Sequence, residues 1–400
     1  MASVLVTDGE QRAALAVVRS LGRRGHEVHV CSTRSPSLAG ASRFARSDVL
    51  APSPLEQAGA FVDKVAELAA AECVDVLIPI TDPSLMALLP AKERFGAAVI
   101  PFPPAETHQS LSNKQSVLKA ASEIGIAVPR QTVARTAADL PVDWEDLNYP
   151  VALKPVASVV EREGVWSKVG ITYADSTEAL RLGLKRYAPE SFPILIQERI
   201  VGDGVGIFLL EWGGELLAAF SHRRIREKPP SGGVSVLRES YPADPQLVEL
   251  SRELIRMFGW SGVCMVEYKV DHVSRTPYLM EVNARFWGSL QLAVDAGVDF
   301  PTLLVDAALG REVEPVSRYK VGVRSRWEWG DIDSLLLMLR RSPEELCLAG
   351  PAPGRLRAIG QFLAFSPTRD KLEVFRLSDM MPFVRETIDW FEPLWRRLKR

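Results

Sequence analysis

The segment that decides the fold is residues 279–285, whose sequence is LMEVNAR. Alternation along a β-strand places Glu281 and Asn283 on one face, while Met280 and Val282 point to the opposite face and into the core. Two side chains with oxygen atoms therefore stand side by side on an otherwise apolar strand. This pattern predicts a buried strand whose polar face belongs to a functional site.

A second strand carries a matching carboxylate. Residues 263–268, VCMVEY, are apolar on both faces except for Glu267. A lone carboxylate inside a buried strand is costly unless another group compensates it. If the two strands are neighbours, Glu267, Glu281 and Asn283 form one cluster, and oxygen ligands without Cys or His suit Mg²⁺ shared with phosphates. The alternative is a set of solvated or salt-bridged carboxylates at strand ends, which fits poorly because both strands are too apolar to be sheet edges.

Two lysines and one hinge segment are candidate nucleotide contacts. Lys154 lies at the end of a hydrophobic strand, where a positive charge needs an anionic partner, and Lys114 begins a helix, where backbone N–H groups also attract anions. Residues 194–204, ILIQERIVGDG, form a buried strand that ends in a polar hinge and a glycine turn, which could hold an adenine edge by backbone hydrogen bonds. Taken singly, each lysine is more often a solvated surface charge, and the hinge resembles any strand–turn–strand.

Composition excludes several classes of protein. The chain has 400 residues, with 48 Lys and Arg against 50 Asp and Glu and a net charge of -2, so it lacks the broad positive field that nonspecific nucleic-acid binding requires. Its four cysteines form no CxxC pair, which argues against a disulfide framework or a zinc site. The apolar start meets Asp8 and is predicted to be a first strand rather than a signal peptide. No apolar run approaches 18 residues, and the strongly apolar run at 335–339 is far too short to span a bilayer. We therefore expect a cytoplasmic protein with no transmembrane segment and no nucleic-acid partner.

Strand and helix patterns divide the chain into three parts. Residues 1–104 contain a strand–helix–strand unit, which predicts a Rossmann-like parallel sheet. Its first turn, residues 7–12 with the sequence TDGEQR, lacks the GxGxxG glycines of dinucleotide sites, which argues against an NAD-dependent dehydrogenase. The prolines of 101–104 end this part, an α+β pattern with hairpins occupies 105–318, and 319–400 has mixed periodicity. The predicted fold class is therefore α/β followed by α+β.

The order of these motifs resembles the ATP-grasp superfamily. Along the chain come NK at a helix start, ALKP on a strand, QE before a glycine turn, a strand Glu, and ExN before an Arg. The continuation NARFWGS is similar to the carboxylate–amine ligases and to the carbamoyl-phosphate-synthase large-subunit-like group. Each motif alone is loose, whereas the ordered set is specific, and it covers about residues 1–310. The resemblance implies a Rossmann-like pre-ATP-grasp domain over 1–104, a two-lobed ATP-grasp domain over 105–318 with a lid subdomain at about 130–200, and a C-terminal extension over 319–400.

The resemblance also implies roles for individual residues. They are Lys114 and Lys154 on the nucleotide phosphates, Glu198 and the backbone at Val201 on adenine, Asp203 on the ribose, Glu267, Glu281 and Asn283 on Mg²⁺ or Mn²⁺, and Arg285 on the transferred phosphoryl group. One departure concerns the loop over the phosphates, which is usually glycine-rich in the family. Here residues 156–170 contain only Gly164 and Gly170.

Residues 222–233, HRRIREKPPSGG, concentrate basic groups beside a Gly-Gly turn. The resemblance favours a loop that faces phosphate and carboxylate groups, and the alternative is a solvated basic hairpin loop. Strand alternation places Arg224 on one face with His222 and Arg226, and Arg223 on the other. We expect Arg224 to hold the substrate carboxylate, since Arg binds carboxylates through a bidentate fork.

These observations favour an ATP-dependent ligase that joins a carboxylate to an amine through an acyl phosphate and releases ADP and phosphate. The expected cofactors are ATP and Mg²⁺, the expected partners are a small acid and a small amine, and a homo-oligomer is compatible with the sequence. An ATP-grasp kinase and a non-catalytic nucleotide-binding regulatory module are the alternatives. The complete set Glu267, Glu281, Asn283 and Arg285 argues against the regulatory module, because binding alone does not require every metal ligand.

Overall fold

The computed structural model describes residues 1–138, 148–162, 165–343, 345–348 and 353–398. Gly164, which was expected in the loop over the phosphates, and part of the predicted lid lie outside these residues. Among the described helices, none has both the length and the apolar content that crossing a membrane requires.

The N-terminal part is a parallel four-stranded sheet with strand order β3-β2-β1-β4. The predicted strand–helix–strand unit is confirmed. The strands β1 and β2 pair in parallel, and the helix that connects them in the sequence buries its inner face. The short strand β3 was not predicted. The elements are β1 (Ser3–Val6), α1 (Arg12–Arg23), β2 (Glu27–Ser32), β3 (Ser47–Leu50), α2 (Ala58–Ala71), β4 (Val76–Ile78) and α3 (Asp82–Leu88).

Two helices lead from this sheet to a small second sheet. Asn113 caps the second helix, since its side chain accepts a hydrogen bond from the Ser116 N–H at 3.0 Å. The second sheet has strand order β5-β10-β6-β9 and its own apolar core, and a separate hairpin, β7–β8, stands beside it. The elements are α4 (Ala105–Ser112), α5 (Lys114–Glu123), β5 (Gln131–Ala134), β6 (Val151–Pro155), β7 (Val159–Arg162), β8 (Val165–Lys168), β9 (Thr172–Ala174), α6 (Thr177–Leu184) and β10 (Ile194–Glu198).

A seven-stranded sheet forms the main body, with strand order β15-β14-β11-β12-β13-β16-β17. Its strands are antiparallel except for the β16–β17 pair, and β16 joins residues beyond 318 to the sheet. The elements are β11 (Gly202–Trp212), β12 (Glu215–Lys228), β13 (Val234–Ser240), α7 (Pro245–Met257), β14 (Gly262–Asp271), β15 (Pro277–Asn283), α8 (Leu290–Ala296), α9 (Phe300–Ala308), β16 (Arg324–Arg326), α10 (Glu328–Arg340), α11 (Arg355–Leu363), β17 (Asp370–Leu372) and α12 (Met381–Leu398).

The basic segment that was expected as a loop is part of a strand, so that expectation was wrong. Residues 222–228 continue β12 and pair with β13, and His222 and Arg223 also pair with β11 on the other side. Only the following five residues form the turn to Val234.

Candidate functional site

The two predicted carboxylates face each other across neighbouring strands. The register of β14 and β15 places Glu267 directly opposite Glu281 and Met265 opposite Asn283. Directly opposed residues share one face of the sheet and lie about 5 Å apart at Cβ. Asn283 Nδ2 also donates to Glu281 Oε1 at 3.1 Å. The sequence-predicted cluster of two carboxylates and one amide is therefore assembled on one face.

Both predicted lysines reach this cluster from the neighbouring sheet and helix. Lys114 Nζ lies 3.8 Å from Glu281 Oε2 and donates to Ser158 Oγ at 2.7 Å. Lys154 Nζ donates to Gln197 Oε1 at 2.6 Å, and Gln197 is itself buried on the adjacent strand. The helix cap at Asn113 and the β6–β10 register thus bring two cations to one pair of carboxylates.

The charged groups around Glu267 and Glu281 shift the pKa values of these two carboxyl groups in opposite directions. Burial and the charge of Glu281 raise the pKa of Glu267, although Arg224 opposes this shift. Burial also acts against ionisation of Glu281, but Lys114 and Lys154 outweigh it and lower the pKa of that carboxyl. Glu281 is consequently the firmly ionised member of the pair.

Arg224 reaches the carboxylates from β12. Its side chain crosses Gly204 of the intervening strand, where a Cβ atom would lie 2.8 Å from Arg224 Cδ. Its guanidinium contacts Glu267 Oε2 at 2.5 Å and Glu227 Oε1 at 2.8 Å. The expectation that Arg226 shares this face was wrong, because the β-bulge between residues 224 and 226 redirects Arg226 to Asp331 at 2.6 Å.

Arg285 connects the site to the N-terminal sheet. Its Nε donates to Asp82 Oδ2 at 2.7 Å, and its Nη2 donates to Asn283 Oδ1 at 3.1 Å. Burial opposes ionisation of Asp82, but Arg285 and His108 lower the pKa of this carboxyl well below its usual range. Asp82 was not predicted, although it follows the end of β4, and the carboxyl ends of parallel strands are where such sheets bind ligands.

Two cavities meet at the Glu281–Asn283 pair. One, of about 370 Å³, lies between the small sheet and the main sheet, and the other, of about 240 Å³, lies beside Lys114 and the N-terminal helices. The larger cavity is lined by Lys154, Arg224, Glu267, Glu281, Asn283 and Arg285, and also by His222, Tyr173 and Trp287, which were not predicted as site residues.

The residues predicted to contact adenine and ribose, which are Glu198, Val201 and Asp203, do not line either of these two cavities. Glu198 accepts hydrogen bonds from Asn148 N at 2.8 Å and Nδ2 at 3.0 Å. The Val201 carbonyl accepts from His272 N at 3.1 Å, and Asp203 Oδ1 lies 3.0 Å from His272 Nε2. Their roles toward adenine and ribose stay predictions.

The donor set fits a divalent cation that is shared with phosphate. Among the described residues there is no group of three or more His, Cys, Asp or Glu side chains that could hold a metal ion. Two carboxylates and an amide oxygen are too few to enclose a metal, but Mg²⁺ keeps several waters and usually binds one or two carboxylates together with substrate phosphates. Glu267, Glu281 and Asn283 meet that requirement.

Comparisons with known proteins agree with this architecture. Residues 190–329 match the family model described as "ATP-grasp in the biosynthetic pathway with Ter operon". The L-amino acid ligase from Bacillus licheniformis is 19% identical, with a TM-score of 0.60, over 77% of this chain and 74% of its own. N5-carboxyaminoimidazole synthetase from Staphylococcus aureus, complexed with ADP, is 15% identical, with a TM-score of 0.63, over 81% and 80% of the two chains.

A third structure contains a metal–nucleotide complex. The biotin carboxylase domain of Hydrogenobacter thermophilus 2-oxoglutarate carboxylase, solved with MgADP, ADP and bicarbonate, is 15% identical, with a TM-score of 0.62, over 80% of this chain and 73% of that chain. Comparison with curated protein sequences finds no match. The predicted ATP-grasp fold is confirmed.

Proposed function

We propose that this chain, which has the ATP-grasp fold and matches an ATP-grasp family model over residues 190–329, is an ATP-dependent ligase that joins a carboxylate to an amine. ATP would phosphorylate the acid, and the amine would then displace phosphate from the acyl phosphate to give an amide. The observation that carries the proposal is that Lys114 lines one cavity, Lys154 and Glu267 line the other, and the two cavities meet at Glu281. Paired carboxylates next to paired lysines match the needs of a metal-bound polyphosphate.

Each side chain has a task in this proposal. Lys114 and Lys154 would bind the phosphates, and Glu267, Glu281 and Asn283 would hold Mg²⁺, which supplies charge neutralisation at the phosphoryl oxygens when bound. Arg285 would contact the transferred phosphoryl group. Glu198, the backbone at Val201 and Asp203 are the proposed adenine and ribose contacts.

Arg224 has a distinct part because its present partner is a metal ligand. It pairs with Glu267 at 2.5 Å. If Glu267 held a metal ion, Arg224 would lose that partner and its fork of N–H donors would be available to the substrate carboxylate. We therefore propose Arg224 as the residue that holds the acid.

The test is a screen for ADP release. The full chain with Mg-ATP is incubated with the proteinogenic amino acids and small carboxylic acids, singly and in pairs. A ligase should release ADP only when both an acid and an amine are present, and hydroxylamine in place of the amine should give a hydroxamate. ADP release with the acid alone, together with an accumulating phosphorylated product, would indicate a kinase. ATP binding without ADP release in any mixture would indicate a regulatory module.

A further inference from the structure

We propose that His222 accepts the proton of the attacking amine during carbon–nitrogen bond formation. This inference rests on the proposed ligase activity and assigns the second half of the reaction to a residue outside the metal and phosphate set. His222 lies on β12 and lines the same cavity as Glu267 and Glu281.

The strand register places His222 in line with the two carboxylates. Glu281 is opposite Glu267, Glu267 is opposite Gly206, and Gly206 is opposite His222, on four adjacent strands. Opposed residues share a face, and neighbouring strands lie about 4.8 Å apart, so the Cα atoms of His222 and Glu267 are about 10 Å apart. That separation leaves room for a reacting acyl group between the carboxylates and the imidazole.

Gly206 keeps this room free of a polar side chain. A Cβ atom at this position would lie 2.6 Å from Phe208 Cζ and 3.2 Å from Met265 Cε. Phe208 and Met265 therefore form an apolar surface beneath the space between His222 and Glu267. A carbon–nitrogen bond formed above it would be shielded from water.

The His222 ring is held in place, but one of its nitrogens lacks a partner. The ring stacks edge-on against Phe208 with centroids 4.7 Å apart, and Trp287 contacts Phe208 at 4.3 Å. His222 Nδ1 lies 3.4 Å from Ser289 Oγ. Within the described part of the chain, Nε2 has no hydrogen-bond partner, although the side chain is only 1% exposed. Buried polar atoms are normally satisfied, so Nε2 is the atom that a ligand N–H would complete.

The surroundings favour a neutral imidazole. Burial, followed by the charges of Arg224 and Arg238, lowers the pKa of His222 well below its ordinary value. If Nδ1–H donates to Ser289, Nε2 carries the free lone pair. The carboxylates that line the cavity are engaged elsewhere: Glu227 pairs with Arg224, and Glu267 and Glu281 are the proposed metal ligands.

The proposed step balances as follows. The amine nitrogen attacks the acyl carbon, and the carbon–nitrogen bond forms while the carbon–oxygen bond to phosphate breaks. Phosphate leaves with the electron pair of that bond. The proton of the nitrogen passes to His222 Nε2 and is released to solvent as the products leave.

The experiment compares two nucleophiles on the acid and amine pair that the ADP screen identifies. Hydroxylamine is uncharged and strongly nucleophilic at neutral pH, so it intercepts an acyl phosphate without help from a protein base. In His222→Phe we expect hydroxamate formation to stay at the wild-type level, while amide formation falls about 100-fold, the usual contribution of a general base. His222→Gln, which keeps a hydrogen-bonding group but is not a base, should show the same selective loss. His26→Phe, a half-buried histidine of the N-terminal part, is the matched control and should behave like the wild type.

Three results would overturn the assignment: equal loss of both reactions in the two His222 variants, no loss in either variant, or recovery of the amide rate in His222→Gln. Failure of the wild-type protein to form any hydroxamate would instead refute the acyl-phosphate route. The two failures are therefore distinguishable.

Discussion

Two clusters of buried charge in this molecule differ in what their members bind. The site cluster (Lys114, Lys154, Arg224, Glu267 and Glu281) is held by contacts between side chains, and its Lys114–Glu281 pair is as long as 3.8 Å. It also borders two cavities. Side chains that are held in this way can release one another and bind a ligand without any change in the backbone.

The second group, the interdomain cluster (Arg12, Arg238, Glu328, Glu373 and Glu386), joins α1 and β13 to residues beyond 327. Glu328 accepts hydrogen bonds from the backbone N–H groups of Val374 and Phe375, the latter at 2.7 Å. Arg12 of α1 and Arg238 of β13 both pair with Glu373. The difference teaches that buried charge beside a cavity is available to a ligand, whereas buried charge that joins distant segments of the chain serves assembly.

The largest expected effect is the loss of activity in Glu281→Gln. This change keeps the shape of the side chain but removes the firmly ionised carboxylate of the pair, so turnover should fall by at least about 100-fold, which corresponds to a few kcal/mol. The melting temperature should change little, and ADP release is the measurement. Excess Mg²⁺ should restore part of the rate. Glu215→Gln, at the exposed start of β12, is the control. Near-normal turnover would contradict the proposal that Glu281 is a metal ligand.

The converse expectation concerns Glu373→Gln in the interdomain cluster. It leaves the buried guanidinium group of Arg238 and the partly buried one of Arg12 without their shared carboxylate. Removal of one member of a buried ion pair typically costs roughly 3 kcal/mol or more. Urea unfolding should show that loss, while the folded fraction keeps its turnover. Lost turnover with unchanged stability would contradict the contrast between the clusters.

The sequence predicted the site cluster because its signals are local. Glu267, Glu281 and Lys154 are charges on apolar strands, and each pattern can be recognised within a few residues. The residues proposed to bind metal and phosphate were therefore predicted together, and the pairing of β14 with β15 was expected from their shared polar face.

The remaining features depend on long-range or irregular structure. Arg12 and Glu373 are 361 positions apart, and no local pattern links them. The β-bulge near Arg224 changes which arginine faces the cavity, and alternation alone cannot anticipate an extra residue in a strand. His222 became a candidate only when the register placed it in line with Glu267.

A smaller effect should appear in the pH dependence of nucleotide binding. Burial, with help from Lys114 and Lys269, outweighs Glu281 and Glu267 and lowers the pKa of Lys154 to about 8. Above that pH the free protein loses the charge that we assign to the phosphates. Calorimetry with Mg-ATP should show affinity falling by up to about tenfold per pH unit above 8. Lys154→Arg, which stays charged, should remove this dependence, and an identical profile in the variant would assign the titration to another group.

The smallest expected effect tests the interdomain cluster through pH. Burial, reinforced by the charges of Glu328 and Glu373, raises the pKa of Glu386 from its ordinary value of 4.5 to about 7. Because the folded protein holds this proton more tightly than the unfolded chain, the contribution of Glu386 to stability is complete below pH 4.5 and is lost as the pH rises through 7.

Glu386→Gln is neutral at every pH and can still accept the hydrogen bond that Trp327 Nε1 donates at 2.8 Å. Relative to this variant, the wild type should lose on the order of 1 kcal/mol of unfolding free energy between about pH 5 and pH 8. Urea unfolding at the two pH values measures the difference, and Glu215→Gln should follow the wild type. If the site cluster instead governs stability in this pH range, the wild type and Glu386→Gln will lose stability in parallel. That result would show that the stability provided by the interdomain cluster does not depend on the protonation of Glu386.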